Sequence, residues 1–131
     1  MIEFHLDPQS GVATYLQIVR QVKDALRLGT LDVGDQLPTV REVVADLAVN
    51  PNTVAKAYRD LEREGLVIAQ QGRGTFIAST LAHASLLEYH AELRQELERW
   101  LESASRAGLD EESIRALIST TLRESLARRV A

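Results

Sequence analysis

The sequence predicts a mainly α-helical chain with one small β-hairpin, an α+β fold in which helix dominates. Three observations lead there. Aromatic residues make up only 5% of the chain, and Leu, Ala and Val abound, which favours helix over sheet. Apolar residues recur at helical spacing through most of the length. Only between Leu66 and Ile77 does the pattern shorten to two β-prone segments around a Gly-x-Gly tip.

Thr14 to Leu28 form the first expected helix, with Tyr15, Ile18, Val19, Val22, Ala25 and Leu26 on one face. Gly29 stands where a C-terminal cap belongs. Thr39 opens the second helix. Its hydroxyl can accept from the backbone of Glu42, whose carboxylate reaches back in a capping box. That helix ends near Leu47, because Asn50-Pro51 begins another. Asn50 is a good N-cap, and proline is tolerated at the first helical position, where its missing N–H has no partner anyway. The third helix spans about Pro51 to Glu64 and stops at Gly65, with Val54, Ala57, Tyr58 and Leu61 inward. Strands follow over Leu66–Gln70 and Thr75–Ile77, joined through Gln71-Gly72-Arg73-Gly74. An isolated hairpin is marginal, so this one must pack on the helices before it.

From Leu81 the chain turns helical again, without proline. Leu86, Leu93, Leu97, Trp100, Leu101 and Ala104 share one side of a long helix that Gly108 ends. Asp110 caps the next helix, and Glu111 and Glu112 suit the positive end of its dipole. Ile114, Leu117, Ile118, Leu122 and Leu126 form its stripe, with Arg128 and Arg129 near the negative end. The expected division is residues 1–79 as one domain and 80–131 as an antiparallel two-helix element. The combined stripe is too wide for one helical pair to cover, so a second copy is expected to complete it as a bundle. Leu86, Leu93, Leu97, Trp100, Leu101, Ile114, Leu117, Ile118 and Leu122 are the expected dimerisation residues.

The 131 residues are 45% hydrophobic and 26% charged and contain no cysteine. A disulfide scaffold, a thiol nucleophile and Cys-ligated metal are thereby excluded. Fifteen Lys and Arg face nineteen Asp and Glu, a net charge of −4. Bulk charge therefore does not make this a protein that coats nucleic acid or anionic membrane. No apolar run approaches the ~18–20 residues of a membrane span. Met1 to Pro8 lacks the basic and apolar regions of a signal peptide, so a cytoplasmic location without membrane contact is expected.

The stretch from Asp35 to Ile77 reads helix, tight turn, helix, glycine stop, two-stranded hairpin. That order defines a winged helix-turn-helix, whose second motif helix enters the major groove of double-stranded DNA. Asn50, Asn52, Thr53 and Lys56 lie at the mouth or on the outer side of that helix. Asn can pair bidentately with adenine, Thr can meet a base edge or a thymine methyl, and Lys can reach guanine or phosphate. Arg41, near the start of the preceding helix, is placed for backbone phosphate. Arg73, flanked by Gly72 and Gly74, suits phosphate or a minor groove, since glycine permits close backbone approach. Thr39 and Arg59 complete the candidate DNA-binding set.

At these residues the chain resembles the GntR family. The resemblance rests on Leu37-Pro38-Thr39-Val40-Arg41-Glu42, Val49-Asn50-Pro51-Asn52-Thr53-Val54, Ala57-Tyr58, Leu61 to Leu66 and Gln71-Gly72-Arg73-Gly74-Thr75-Phe76. The Asn-Pro-Asn-Thr-Val run, the short helical tail and Tyr15-Leu16-Gln17-Ile18 are similar to its YtrA subfamily. The resemblance implies a dimeric bacterial transcription factor, usually a repressor, on an inverted-repeat operator. It also implies control of its own operon and of linked ABC transporter genes. Many family members carry arginines at positions where Pro51 and Ala55 stand here, so base readout must lean on Asn50, Asn52, Thr53 and Lys56. The usual proline before Tyr15 is replaced by Ala13-Thr14.

Other chemistries find little support. His83 and His90 are seven residues apart on a helix, about 10 Å, too far to share one ion without a third ligand. Gly72-Arg73-Gly74 is no phosphate-binding loop, because no helix follows it. No Ser/His/Asp set or carboxylate pair stands out, so neither an enzyme nor a cofactor is expected. Two alternatives to the regulator remain at this level. One is an adaptor that keeps the fold without operator binding. The other is a sensor of an unidentified small molecule at the dimer interface.

Overall fold

The computed structural model describes residues 1–130, and every side chain among them outside positions 84–87. Five helices and one hairpin follow in the order α1 (Thr14–Arg27), α2 (Val40–Leu47), α3 (Pro51–Arg63), β1 (Val67–Gln70), β2 (Gly74–Ile77), α4 (Ala84–Arg106) and α5 (Glu111–Val130). Contacts divide the chain into two units, Met1–Glu88 and Tyr89–Ala131. The division falls within α4 rather than at residue 79.

The N-terminal unit forms because its local signals agree. Thr39 and Glu42 complete both halves of the capping box on α2. The Asn50 side chain accepts from the backbone N–H of Asn52 at 2.8 Å, ahead of Pro51. Between α2 and α3 the chain reverses through Ala48, the single non-glycine residue with positive φ (54°) among those described. An L-residue is mildly strained there, and this left-handed residue ends α2. The inward stripes of α1 and α3 close on one another through Ile18, Val22, Leu26, Val54, Ala57 and Leu61, all without solvent exposure. Leu37, Val43, Leu66, Val67 and Ile77 extend this core to α2 and the hairpin.

Two connections set the hairpin in place. The strands pair antiparallel, Val67 opposite Ile77 and Gln70 opposite Gly74. The segment before α2 then lies along β2: Leu37 N–H donates to Thr75 O at 2.9 Å, and Ile77 N–H to Asp35 O at 2.8 Å. Further on, the buried Tyr58 hydroxyl of α3 donates to Pro38 O at 2.6 Å, next to the α2 cap. Burial, with Glu42 nearby, pushes the Tyr58 phenol well above its ordinary pKa. The unit also includes its N-terminal extension. Gln21 pairs with both backbone groups of His5, and Gln17 does the same with Asp7. The Gln17 amide nitrogen reaches Ser10 and Val12 as well, so this buried polar group is satisfied.

In the C-terminal unit α4 and α5 meet at a turn. Leu109 N–H donates to Ala104 O at 3.1 Å, and Gly108 takes φ 92°. Asp110 accepts from Ser113 N–H at 2.8 Å, and its bonds with Ser113 hold the carboxyl below its ordinary pKa. Ala104 is buried at this corner, with Leu101, Leu109 and Ile114 half-buried around it. Away from the turn, Leu93, Leu97 and Trp100 on α4 and Leu117, Ile118, Leu122 and Leu126 on α5 are exposed. No residue of α5 is buried. Leu86, first of the expected dimerisation residues, lies outside the described residues.

Candidate nucleic-acid interface

The candidate side chains sit on three parts of the N-terminal unit: the start of α2, the start and outer side of α3, and the tip between β1 and β2. Thr39, Arg41, Asn50, Asn52, Lys56, Arg59, Gly72 and Arg73 are exposed, while Thr53 and Gly74 are half-buried. The candidate cations are free of carboxylate partners, whereas three other cations of the unit are paired. Lys23 pairs with Glu64 at 2.9 Å, Arg63 with Asp60 at 2.8 Å, and Arg27 lies 3.9 Å from Asp24. Among the described residues Arg41, Lys56, Arg59 and Arg73 form no ion pair, a state they share with Arg20 on α1 and with Arg99, Arg123, Arg128 and Arg129 of the C-terminal unit. Arg41 does not bridge to Asp46, the carboxylate a turn away on its own helix.

Several candidates already hold structural bonds, and these narrow what each can do. Thr39 Oγ1 accepts from Glu42 N–H at 3.1 Å, leaving its hydroxyl proton free to donate. The Asn50 carbonyl oxygen caps α3, so a bidentate adenine contact there would compete with the cap. Asn52 makes no side-chain hydrogen bond among the described residues and retains both amide functions. Lys56 Nζ lies 4.0 Å from the centre of the Tyr15 ring. That cation–π contact sets the ammonium of α3 against a ring of α1.

The tip is a tight turn. Arg73 N–H donates to Gln70 O at 2.9 Å, and Gly72 takes φ 76°. Gly74, at φ 123°, would bring an added Cβ to 2.6 Å from Gln36 Nε2. Glycine is favoured at 74 by this backbone conformation, and a larger residue would also displace the Gln36 amide.

Sequence reading missed two participants. Tyr15 reads as a core residue of α1, yet its ring also carries Lys56. Gln36 is not among the residues the sequence singles out, yet its side chain reaches the wing. Neither contact leaves a periodic signal, because the partners are far apart in the chain. Among the described residues no group of three His, Asp or Glu is arranged to hold a metal. No described helix is long and apolar enough to cross a membrane.

A helix-turn-helix with a two-stranded wing, carrying unpaired cations on both parts, defines the class of winged-helix DNA-binding folds. The family model of bacterial regulatory proteins, gntR family, matches residues 14–77. The chain is 38% identical over 110 residues to the HTH-type transcriptional repressor YtrA of Bacillus subtilis strain 168, covering 83% of this chain and 84% of that protein. A solved structure of YtrA from Sulfolobus acidocaldarius, a GntR-family transcription factor, superposes with TM-score 0.55 at 32% identity, covering 76% of this chain and 97% of that one. The DNA-binding domain of AraR, solved in complex with operator ORX1, superposes with TM-score 0.51 at 28% identity, covering 57% and 93%. The chain belongs to the gntR family of bacterial regulatory proteins, as a transcriptional regulator built on the winged-helix fold.

Proposed function

We propose that this regulator is a homodimeric repressor that binds an inverted-repeat operator, its own promoter region being the first target, and that it has no catalytic role. The observation that carries the reading is the placement of four cations without ion pairs, Arg41, Lys56, Arg59 and Arg73, on α2, α3 and the wing tip. The unit's other cations are Lys23, Arg27 and Arg63, which are paired, and Arg20, which is not. Charged side chains left without partners in an acidic protein keep their full attraction for phosphate. In this reading Arg41 and Arg73 grip the backbone on either side of α3, with Thr39, Arg59 and the glycines Gly72 and Gly74 beside them. Asn52, Thr53 and Lys56 read base edges, and the Asn50 amide protons assist. Repression is supported by the similarity to the Bacillus repressor, and operator binding by the similarity to the AraR complex.

The dimer is the second half of the proposal. Leu93, Leu97, Trp100, Leu117, Ile118 and Leu122 form an apolar surface that a second copy would cover, with Leu101 and Ile114 at its root. Two-fold symmetry then spaces the two copies of α3 by about one duplex turn, ~34 Å. The test is binding of the duplex upstream of its own gene, followed by fluorescence anisotropy at several salt concentrations. Replacing Arg41 and Arg73 together by Ala should flatten the slope of log K against log salt by about 0.9 per lost phosphate contact. Unchanged affinity in that double variant would sink the docking arrangement.

A further inference from the structure

Arg73 is carried between two glycines, and two glycines alone would leave it free to wander. Among the described residues, one side chain reaches this tip through a hydrogen bond. Gln36 Nε2 donates to Arg73 O at 3.2 Å. The same amide occupies the space that Gly74 leaves open, 2.6 Å from where a Cβ would stand. Gln36 is itself held, since it bridges to Phe76 in antiparallel fashion. Its neighbours Asp35 and Leu37 bond to the backbone of β2 on either side. Two residues further on, Pro38 O receives the Tyr58 hydroxyl of α3 at 2.6 Å, just before the Thr39 cap and Arg41. A continuous line of bonds thus runs from α3 through the segment before α2 to the wing tip.

We propose that Gln36 is a positioning residue for Arg73, fixing the wing tip so that the guanidinium is presented to the DNA backbone. The proposal rests on the docking reading above. Its chemistry is specific: the Gln36 amide donates to the Arg73 carbonyl, which a carboxylate or thioether would not. Gln36→Met keeps length and flexibility while removing the donor.

The test uses the full-length protein and a duplex that the wild type enriches from a randomised pool. Affinity and its salt dependence are measured for wild type, Gln36→Met, Arg73→Ala and the double variant. In parallel, the heteronuclear NOE of the Gly72, Arg73 and Gly74 amides is measured without DNA. Gln36→Met should weaken binding about two- to tenfold, the range of one net hydrogen bond. Its salt slope should move towards that of Arg73→Ala, and the double variant should lose no more than Arg73→Ala alone. The NOE should fall at the tip and nowhere else. Wild-type NOE values in Gln36→Met, or losses that simply add in the double variant, would overturn the proposal. Unchanged binding by Arg73→Ala instead removes the docking role of the wing, while the NOE still decides whether Gln36 holds the tip.

Discussion

The two units of this chain solve the burial problem in opposite ways. In Met1–Glu88, helices from three places in the sequence close on each other and on the wing, and seven large side chains have almost no solvent contact. In Tyr89–Ala131, only Ala104 is buried among the described side chains, and Leu97, Leu117 and Leu122 remain about half exposed. Helical propensity does not explain the contrast, since α4 and α5 are rich in Ala, Leu, Glu and Arg, all strong helix formers. What differs is whether the chain supplies a second surface. Unit one brings α1, α3 and the hairpin together around a common core. α4 and α5 meet at their turn and leave Leu93, Leu97, Leu117, Ile118, Leu122 and Leu126 exposed, the surface that the proposed second copy would cover.

The sharpest way to break the contrast is inside the closed core. Leu61→Ala should destabilise the N-terminal unit by about 2–5 kcal/mol, since a fully buried leucine leaves a cavity. Chemical denaturation followed by Trp-independent circular dichroism checks this, the sole tryptophan lying in the other unit. The complementary change targets the open face. Leu97→Asp with Leu122→Asp should leave the N-terminal unit folded, yet convert dimer to monomer in sedimentation. Operator affinity should then fall by about a hundredfold, because the second half-site loses its effective concentration.

Smaller effects resolve the packing within the closed unit. Tyr58→Phe should cost about 0.5–1.5 kcal/mol at neutral pH through loss of the bond to Pro38. That difference narrows with alkali. The folded phenol holds its proton above the ordinary tyrosine pKa of about 10, whereas the unfolded one releases it. Wild-type stability should therefore decline as pH rises beyond about 10, and Tyr58→Phe should flatten that decline in a series of melts. Smallest is Ala48→Gly. It relieves a left-handed alanine but adds freedom to the unfolded chain, for a net gain of a few tenths to about 1 kcal/mol in thermal denaturation.

Much of the fold was legible in the sequence because its signals are local. Thr39 with Glu42 marks α2, Asn50-Pro51 marks α3, and the glycines at 65, 72 and 74 mark the stop and the wing; each acts over four residues or fewer. Expected and observed boundaries of these elements differ by a residue or so, as fraying ends do. The later start of α4, at Ala84 rather than Leu81, has a local cause: Thr80 Oγ1 accepts from Ala82 N–H and holds a turn ahead of the helix. The candidate site was legible as a list of residue types but not as a set of commitments. That Asn50 spends its oxygen on the cap, that Lys56 rests on Tyr15, and that Gln36 reaches Arg73 all depend on how elements meet in space. Such contacts join residues with no shared period, and a single sequence does not encode them in any pattern the eye can follow.

The paired glutamines on α1 have a consequence of their own. His5 and Asp7 are two residues apart on an extended segment, a span of about 6.6 Å. Gln21 and Gln17 are four apart on a helix, about 6 Å. The two rises nearly match, so α1 offers its neighbour an imitation strand edge whose rungs are side-chain amides. An imitation edge has only these two rungs and therefore one register. Inserting a single residue between His5 and Asp7 would put the rungs out of step, so that only one could form while Phe4 keeps its buried place in the core.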